Sequence, residues 1–193
     1  MKYYIIYKPY LCLSRFTGEP GKRSLADFFD FPKCVYPVGR LDYDSEGLMI
    51  ITNDKSLNDM LLNPENNHSR TYMAQVEGII HSEAIAMLKN SVEINLKSGK
   101  KIVRAIEAKS IEGEPELPPR NPPIRFRKNI PTSWTEIVLV EGKNRQVRKM
   151  TAAAGFPTLR LVRTKIEELS IGNLNPSGYF EINKNKLYKL LSI

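Results

Sequence analysis

The stretch richest in chemistry runs Gly39-Arg40-Leu41-Asp42-Tyr43-Asp44-Ser45-Glu46-Gly47 and passes at once into Leu48-Met49-Ile50-Ile51, closed by Thr52-Asn53-Asp54. A four-residue apolar run bounded by polar residues reads as a short buried strand, so Asp42 sits on a turn that leads into a rigid element. Such junctions fix the geometry of a side chain while leaving it open to a ligand. A carboxylate held there can attack or stabilise an electron-poor carbon, and it needs no cofactor to do so. Arg40 precedes Asp42 by two positions, and on extended backbone the two side chains point to the same side.

A second candidate lies in residues 144–154, read as a helix. Val147, Met150, Thr151 and Ala154 form its inward stripe, with Arg148 beside the stripe and Arg145, Lys149 and Ala152 further out. Arg148 is therefore expected to be half-buried. A carboxylate in a site that partly excludes water is driven toward its neutral form by burial, and a cation close by restores the ionised form.

The elements that must position these groups are mostly strands. Residues 2–8 alternate loosely, are rich in Tyr and Ile, and stop at Lys8-Pro9. Further strands are expected at 72–78, 92–96, 102–108, 134–141 and 158–166. Ser24 is a candidate cap for a short helix through Phe29, and Ser82 for one that carries Ile85, Met87 and Leu88 and ends near Asn90. Five prolines between Glu114 and Pro123 stiffen a loop that can be neither helix nor central strand. The expected class is α+β, with a mixed, mostly antiparallel sheet, in a chain of 193 residues that can bury one core or two closely packed halves.

Composition narrows the function. No stretch is apolar enough to span a bilayer, and the start lacks a signal peptide's apolar region and cleavage site, so a soluble, cytoplasmic protein is expected. Cys12 and Cys34 form no Cys-x-x-Cys pair, and His68 and His81 are the only histidines. Reduced structural thiols and no metal site follow. Residues 117–166 hold eleven Lys and Arg against Glu136 and Glu141 alone, a local +9 in a chain of net +8. One-sided positive charge of this kind is the footprint of a polyanion site, with nucleic acid the natural partner. A basic face that only aids solubility is the alternative that composition leaves open.

Three segments together resemble the pseudouridine synthases of the RsuA/RluB/RluE/RluF branch. The first is Gly39-Arg40-Leu41-Asp42 with Gly47-Leu48 and Thr52-Asn53-Asp54. The second is Arg70-Thr71-Tyr72 with the strand that ends Val76-Glu77-Gly78. The third comprises Pro131-Thr132-Ser133-Trp134, then 141–152 (Glu-Gly-Lys-Asn-Arg-Gln-Val-Arg-Lys-Met-Thr-Ala) and 155–163 (Gly-Phe-Pro-Thr-Leu-Arg-Leu-Val-Arg). This third segment is most similar to the RluE subgroup of that branch, and the matches extend over about residues 4–166. Where members usually have Ile-Gly after the last strand, this chain has Ile166-Glu167-Glu168; the usual Pro-Gly turn is Pro176-Ser177-Gly178, and Arg70 replaces a commoner Lys.

The resemblance implies a single catalytic domain over 1–193, made of two subdomains with the active cleft between them and no N-terminal S4 RNA-binding domain. It implies Asp42 as catalytic carboxylate, Arg148 as its ion-pair partner and Tyr72 as contact to the base. It also implies an Arg40 that assists base flipping and a Leu161 that lines the base pocket. Lys143, Arg145, Lys149, Arg160 and Arg163 are the candidate phosphate contacts. No cofactor or metal is implied, and the expected partner is ribosomal RNA, most naturally large-subunit 23S, bound by a monomer. Whether Asp42 adds to C1′ or assists a glycal route stays open.

Competing readings are weaker. Asp42-x-Asp44-x-Glu46-Gly47 mimics half of a calcium-binding loop, but the twelfth position is Asn53 where a bidentate Glu is required. Two remote histidines give a Ser-His-Asp triad little to build on. The serious rival is a non-catalytic RNA-binding or ribosome-assembly protein on the same scaffold.

Overall fold

The computed structural model describes residues 1–125 and 128–193; of the basic segment, Arg127 lies outside the described residues. In chain order the elements are β1 (Tyr3–Lys8), β2 (Cys12–Leu13), β3 (Arg23–Ser24), β4 (Tyr36–Pro37), β5 (Glu46–Thr52), α1 (Lys55–Leu62), β6 (Arg70–Glu77) and α2 (Ser82–Asn90). They continue with β7 (Val92–Leu96), β8 (Gly99–Val103), β9 (Glu107–Ile111), β10 (Thr132–Leu139), α3 (Gln146–Ala153), β11 (Thr158–Ile166), β12 (Leu169–Ser170), β13 (Tyr179–Glu181) and α4 (Lys184–Leu190). The class is α+β with mostly antiparallel pairing, as the strand spacing implied. The chain forms two compact units, residues 1–68 with 162–193 and residues 69–161.

In the first unit the strands run in the order β13-β1-β5-β11. β1 and β5 pair antiparallel from Tyr3↔Thr52 to Lys8↔Gly47, and both are buried along their whole length. Burial on both faces explains why β5 reads as a continuous apolar run rather than an alternating one. β11 pairs parallel to β5 through Val162↔Glu46 and Arg163↔Gly47. Thr52-Asn53-Asp54 ends the strand and starts α1. The Asp54 carboxylate accepts from the backbone N–H of Ser56 and Leu57 as N-cap, and from the hydroxyls of Tyr3 at 2.6 Å and Tyr188 at 2.8 Å. Burial pushes its pKa up, but these hydrogen bonds outweigh it and leave the carboxyl below its ordinary value. α4, which carries Tyr188, is thus tied to the core through one buried carboxylate.

The second unit is built on β6-β10-β9, with β10 antiparallel to β6 from Thr132↔Glu77 to Leu139↔Arg70. Its core gathers Ala74, Val76, Leu88, Val92, Ile94, Ile137, Leu139, Val147, Met150 and Leu161. α2 and α3 supply part of that cluster, and the β7–β8 hairpin contributes its inner face. Among the described residues no helix is long and apolar enough to cross a membrane.

Several element boundaries differ from the sequence reading. The strand expected at 102–108 is two strands, β8 and β9, with Ala105 turned in to donate its N–H to Leu88 O. The helix expected over 24–29 is a single 3-10 turn, Leu25–Asp27. His81 rather than Ser82 caps α2, its ring nitrogen accepting from Ala84 N–H. The helix expected at 144–154 starts only at Gln146, because Arg145 adopts a left-handed conformation with φ 52°. α1 and α4 have no counterpart in the sequence reading.

Candidate active site

Asp42 lies half-buried on the turn between β4 and β5. Ser45 donates its N–H to Asp42 O at 3.0 Å, and Cys12 its N–H to Tyr43 O at 3.3 Å. Below the turn sits Lys8, fully buried. Its ammonium donates to Cys12 O at 2.7 Å, to Pro9 O at 3.0 Å and, at the limit, to Tyr43 O at 3.5 Å. Burial drives its pKa down to about 8, opposed in part by Cys12 and by the carboxylates of Glu46, Asp44 and Asp42. Glu46 is buried as well and accepts from the Tyr7 hydroxyl at 3.3 Å.

Where the turn joins β5, Gly47 has φ +108°, and a Cβ there would stand 2.3 Å from Arg163 O. Only glycine lets the two backbones approach this closely. Arg163 is buried, and its Nε donates to Leu48 O at 2.8 Å. Arg160 in the second unit is buried too, its Nη2 donating to Pro118 O at 2.8 Å, so it holds the proline-rich loop to its unit. Reading these two arginines as phosphate contacts does not fit their placement. A guanidinium can be buried where an N–H finds a carbonyl, here Leu48 O on β5 for Arg163 and Pro118 O on the loop for Arg160.

Arg40 is exposed, next to the turn in the first unit. Tyr72, Arg148 and Leu161 belong to the second unit. Tyr72 stands on β6 opposite Ile137, partly buried against the unit's core. Leu161 is in that core and shows the packing role common to strand leucines. Arg148 is half-buried on α3, as the helical stripe implied, with Nη1 3.4 Å from Thr158 O. Val147 and Met150 anchor the helix from below. Arg145 is exposed at its N-terminus and Lys149 half-exposed along it. Lys143 is paired with Glu141, and its N–H donates to Gln146 Oε1 at 2.9 Å.

Gln146 is a residue that sequence reasoning does not single out. It is buried, and its amide bridges Lys143 N–H and the Glu141 carboxylate, the latter at 2.6 Å. A glutamine one residue inside a helix start, three positions after the loop it holds, follows the logic of a capping box and is recognisable on that ground.

Residues 2–153 match the family described as RNA pseudouridylate synthase. The chain belongs to that family. It is 45% identical over 181 residues to the ribosomal large subunit pseudouridine synthase E of Vibrio parahaemolyticus serotype O3:K6 (strain RIMD 2210633), a match covering 94% of the chain and 74% of that protein. Identity to the protein of the same name from Xanthomonas axonopodis pv. citri (strain 306) is 43% over 174 residues, with 89% of each covered. A crystal structure of a pseudouridylate synthase has the same fold, with a TM-score of 0.77 at 21% identity over 98% of this chain and 73% of that one. The resemblance read from the three motif segments is thereby borne out. This pseudouridine synthase is an isomerase: the reaction moves the uracil of a uridine from an N1 to a C5 linkage and transfers nothing elsewhere.

Proposed function

We propose that this isomerase converts a uridine of large-subunit ribosomal RNA to pseudouridine. The observation that carries the substrate class is the identity, over most of both chains, to proteins whose name specifies the large ribosomal particle as the place of action. The strongly basic run 117–166 supports an RNA partner. In this reading Asp42 engages the electron-poor ribose carbon as the C1′–N1 bond breaks, the base turns, and C1′ joins C5 while the C5 proton leaves to water. The direct adduct at C1′ and the glycal route both use the same carboxylate.

Arg148 serves as the ion-pair partner of Asp42, and its half-buried place on a helix anchored by Val147 and Met150 supports that role. Tyr72 contacts the uracil. A uridine in a folded RNA must leave the stack before its sugar can be reached, and exposed Arg40 beside the turn suits the task of filling the gap. Arg145, Lys149 and Lys143 are the phosphate contacts, with Arg145 the most open of the three. Leu161 backs the base pocket from the core.

Large-subunit ribosomal RNA with tritium at uridine C5, incubated with the enzyme beside tritiated small-subunit RNA, tests the substrate. Release of about one equivalent per large-subunit RNA and background from the small-subunit RNA is the expected result. The reverse pattern contradicts the substrate assignment and leaves the reaction class standing.

A further inference from the structure

We propose that Ser14 is the residue that positions Asp42, a role that rests on the reading of Asp42 as the catalytic carboxylate. Ser14 follows β2 directly, is buried, and lies 27 positions before Leu41. Its hydroxyl donates to Leu41 O at 2.7 Å and accepts from Leu41 N–H at 3.0 Å. A single Oγ therefore holds both backbone polar groups of the residue immediately before Asp42. A hydroxyl is among the few side-chain groups that can donate and accept at one atom, so neither Ala nor Val can replace it here.

The geometry makes this more than satisfaction of buried groups. The C=O of Leu41 belongs to the same peptide plane as the N–H of Asp42, so fixing that oxygen fixes the plane from which the Asp42 side chain departs. On the far side of Asp42, Ser45 N–H holds Asp42 O and Cys12 N–H holds Tyr43 O. Asp42 is thus bracketed by hydrogen bonds to its own backbone and to that of both neighbours. Part of the bracket comes from the 12–14 segment, remote in sequence, which ties the turn to β2. Ser24, a second buried serine in the same unit, bonds only locally, to the Asp27 carboxylate at 2.9 Å and to Phe16 O at 3.4 Å. It provides the matched control, a hydroxyl of similar burial that does not touch the turn.

The experiment compares wild type with Ser14→Ala, Ser14→Thr, Ser24→Ala and Asp42→Asn, measuring kcat for tritium release, RNA affinity and thermal unfolding for each. A reacting group displaced by about 1 Å costs on the order of a hundredfold in rate, so Ser14→Ala is expected to lose about 10- to 100-fold in kcat with RNA affinity little changed. Ser14→Thr, which keeps the hydroxyl, recovers part of that rate. Ser24→Ala lowers the Tm and keeps the kcat.

A Ser14→Ala enzyme with wild-type kcat overturns the proposal, and so does a loss that Ser24→Ala reproduces at equal loss of Tm, since that is the mark of general destabilisation. Should Ser14→Ala fail to fold, Ser14→Cys, close in volume and a weak donor, carries the same expectation and the same contradiction. Full tritium release by Asp42→Asn removes the catalytic reading of Asp42 and Ser14's role with it. An inactive Asp42→Asn beside an active Ser14→Ala overturns the role of Ser14 alone.

Discussion

The two units hold their candidate site residues by different physics. In the first, the Asp42 turn is fixed by polar contacts: buried Lys8 on three carbonyls, Ser14 on both sides of Leu41, and Arg163 on Leu48 O at the start of β5. In the second, α3 carries Arg148 on an apolar seat of Val147 and Met150 in the unit's core. Hydrogen bonds are directional and fix a position to a fraction of an ångström. Apolar packing is directionless and tolerates rearrangement if volume is kept. Under the proposed roles, a carboxylate that must meet one carbon needs the first kind of support, whereas a cation on a long, flexible stem can work from the second.

The largest effect is expected at Gly47. Gly47→Ala puts a Cβ against the Arg163 backbone at a φ that L residues rarely adopt. A loss of about 3 kcal/mol or more is expected, which for a chain of this size lowers the Tm by roughly 6–12 °C. Thermal unfolding checks it, and an unchanged Tm breaks the claim that the turn enters β5 through one fixed backbone contact.

Lys8 offers a pH signature. Its pKa is about 8 when folded against 10.5 ordinarily. Below pH 8 both states hold the proton; above it the folded protein sheds the proton first, the unfolded chain binds more, and stability rises with pH. The window in which Lys8 dominates is pH 8–9; Cys12, raised by burial from 9.0 to about 11, contributes only the beginning of an opposite slope there, and Lys8→Met shares it. Wild type is expected to gain up to about 1 kcal/mol across that window relative to Lys8→Met, whose curve lacks the term. Denaturant unfolding at the two pH values measures it, and parallel curves would show that the ammonium is not a buried charge under the turn.

The smallest effect is expected on α3. Met150→Leu keeps the volume of the seat, and a cost below about 1.5 kcal/mol is expected with tritium release close to wild type. A large loss of turnover at a small loss of stability would mean that α3, too, is held to a narrow position, and the contrast between the units would fall.

Much of this is legible in the sequence, unevenly. β7 and β11 are bounded to the residue: the alternation of β7 stops at Lys97-Ser98-Gly99, and β11 begins directly after Gly155-Phe156-Pro157. α1 and α4 escape a reading by pattern although Asp54 and Asn183 are ordinary N-caps. Asp54 reads as the end of β5, and both helices span only about two turns, so that even the Leu57, Met60, Leu61 spacing of α1 is too short to establish a period. For the site, motif order is enough to single out Asp42, Tyr72 and Arg148 as candidates. Charge alone misleads at Arg160 and Arg163, since formal charge does not tell a surface cation from one spent on a buried carbonyl. Ser14 and Lys8 are invisible for a related reason: their partners are backbone atoms, some remote along the chain, and carry no residue type to search for.

The central claim, that Asp42 does the chemistry and not the binding, is tested most directly by Asp42→Asn, with RNA affinity at equilibrium and the single-turnover rate of tritium release measured on the same large-subunit RNA. The expected outcome is affinity close to wild type and a rate lowered at least about 10⁴-fold, the scale on which loss of a catalytic carboxylate is felt. A variant that still turns over at a substantial fraction of the wild-type rate, or one that loses RNA binding in step with its rate, contradicts it.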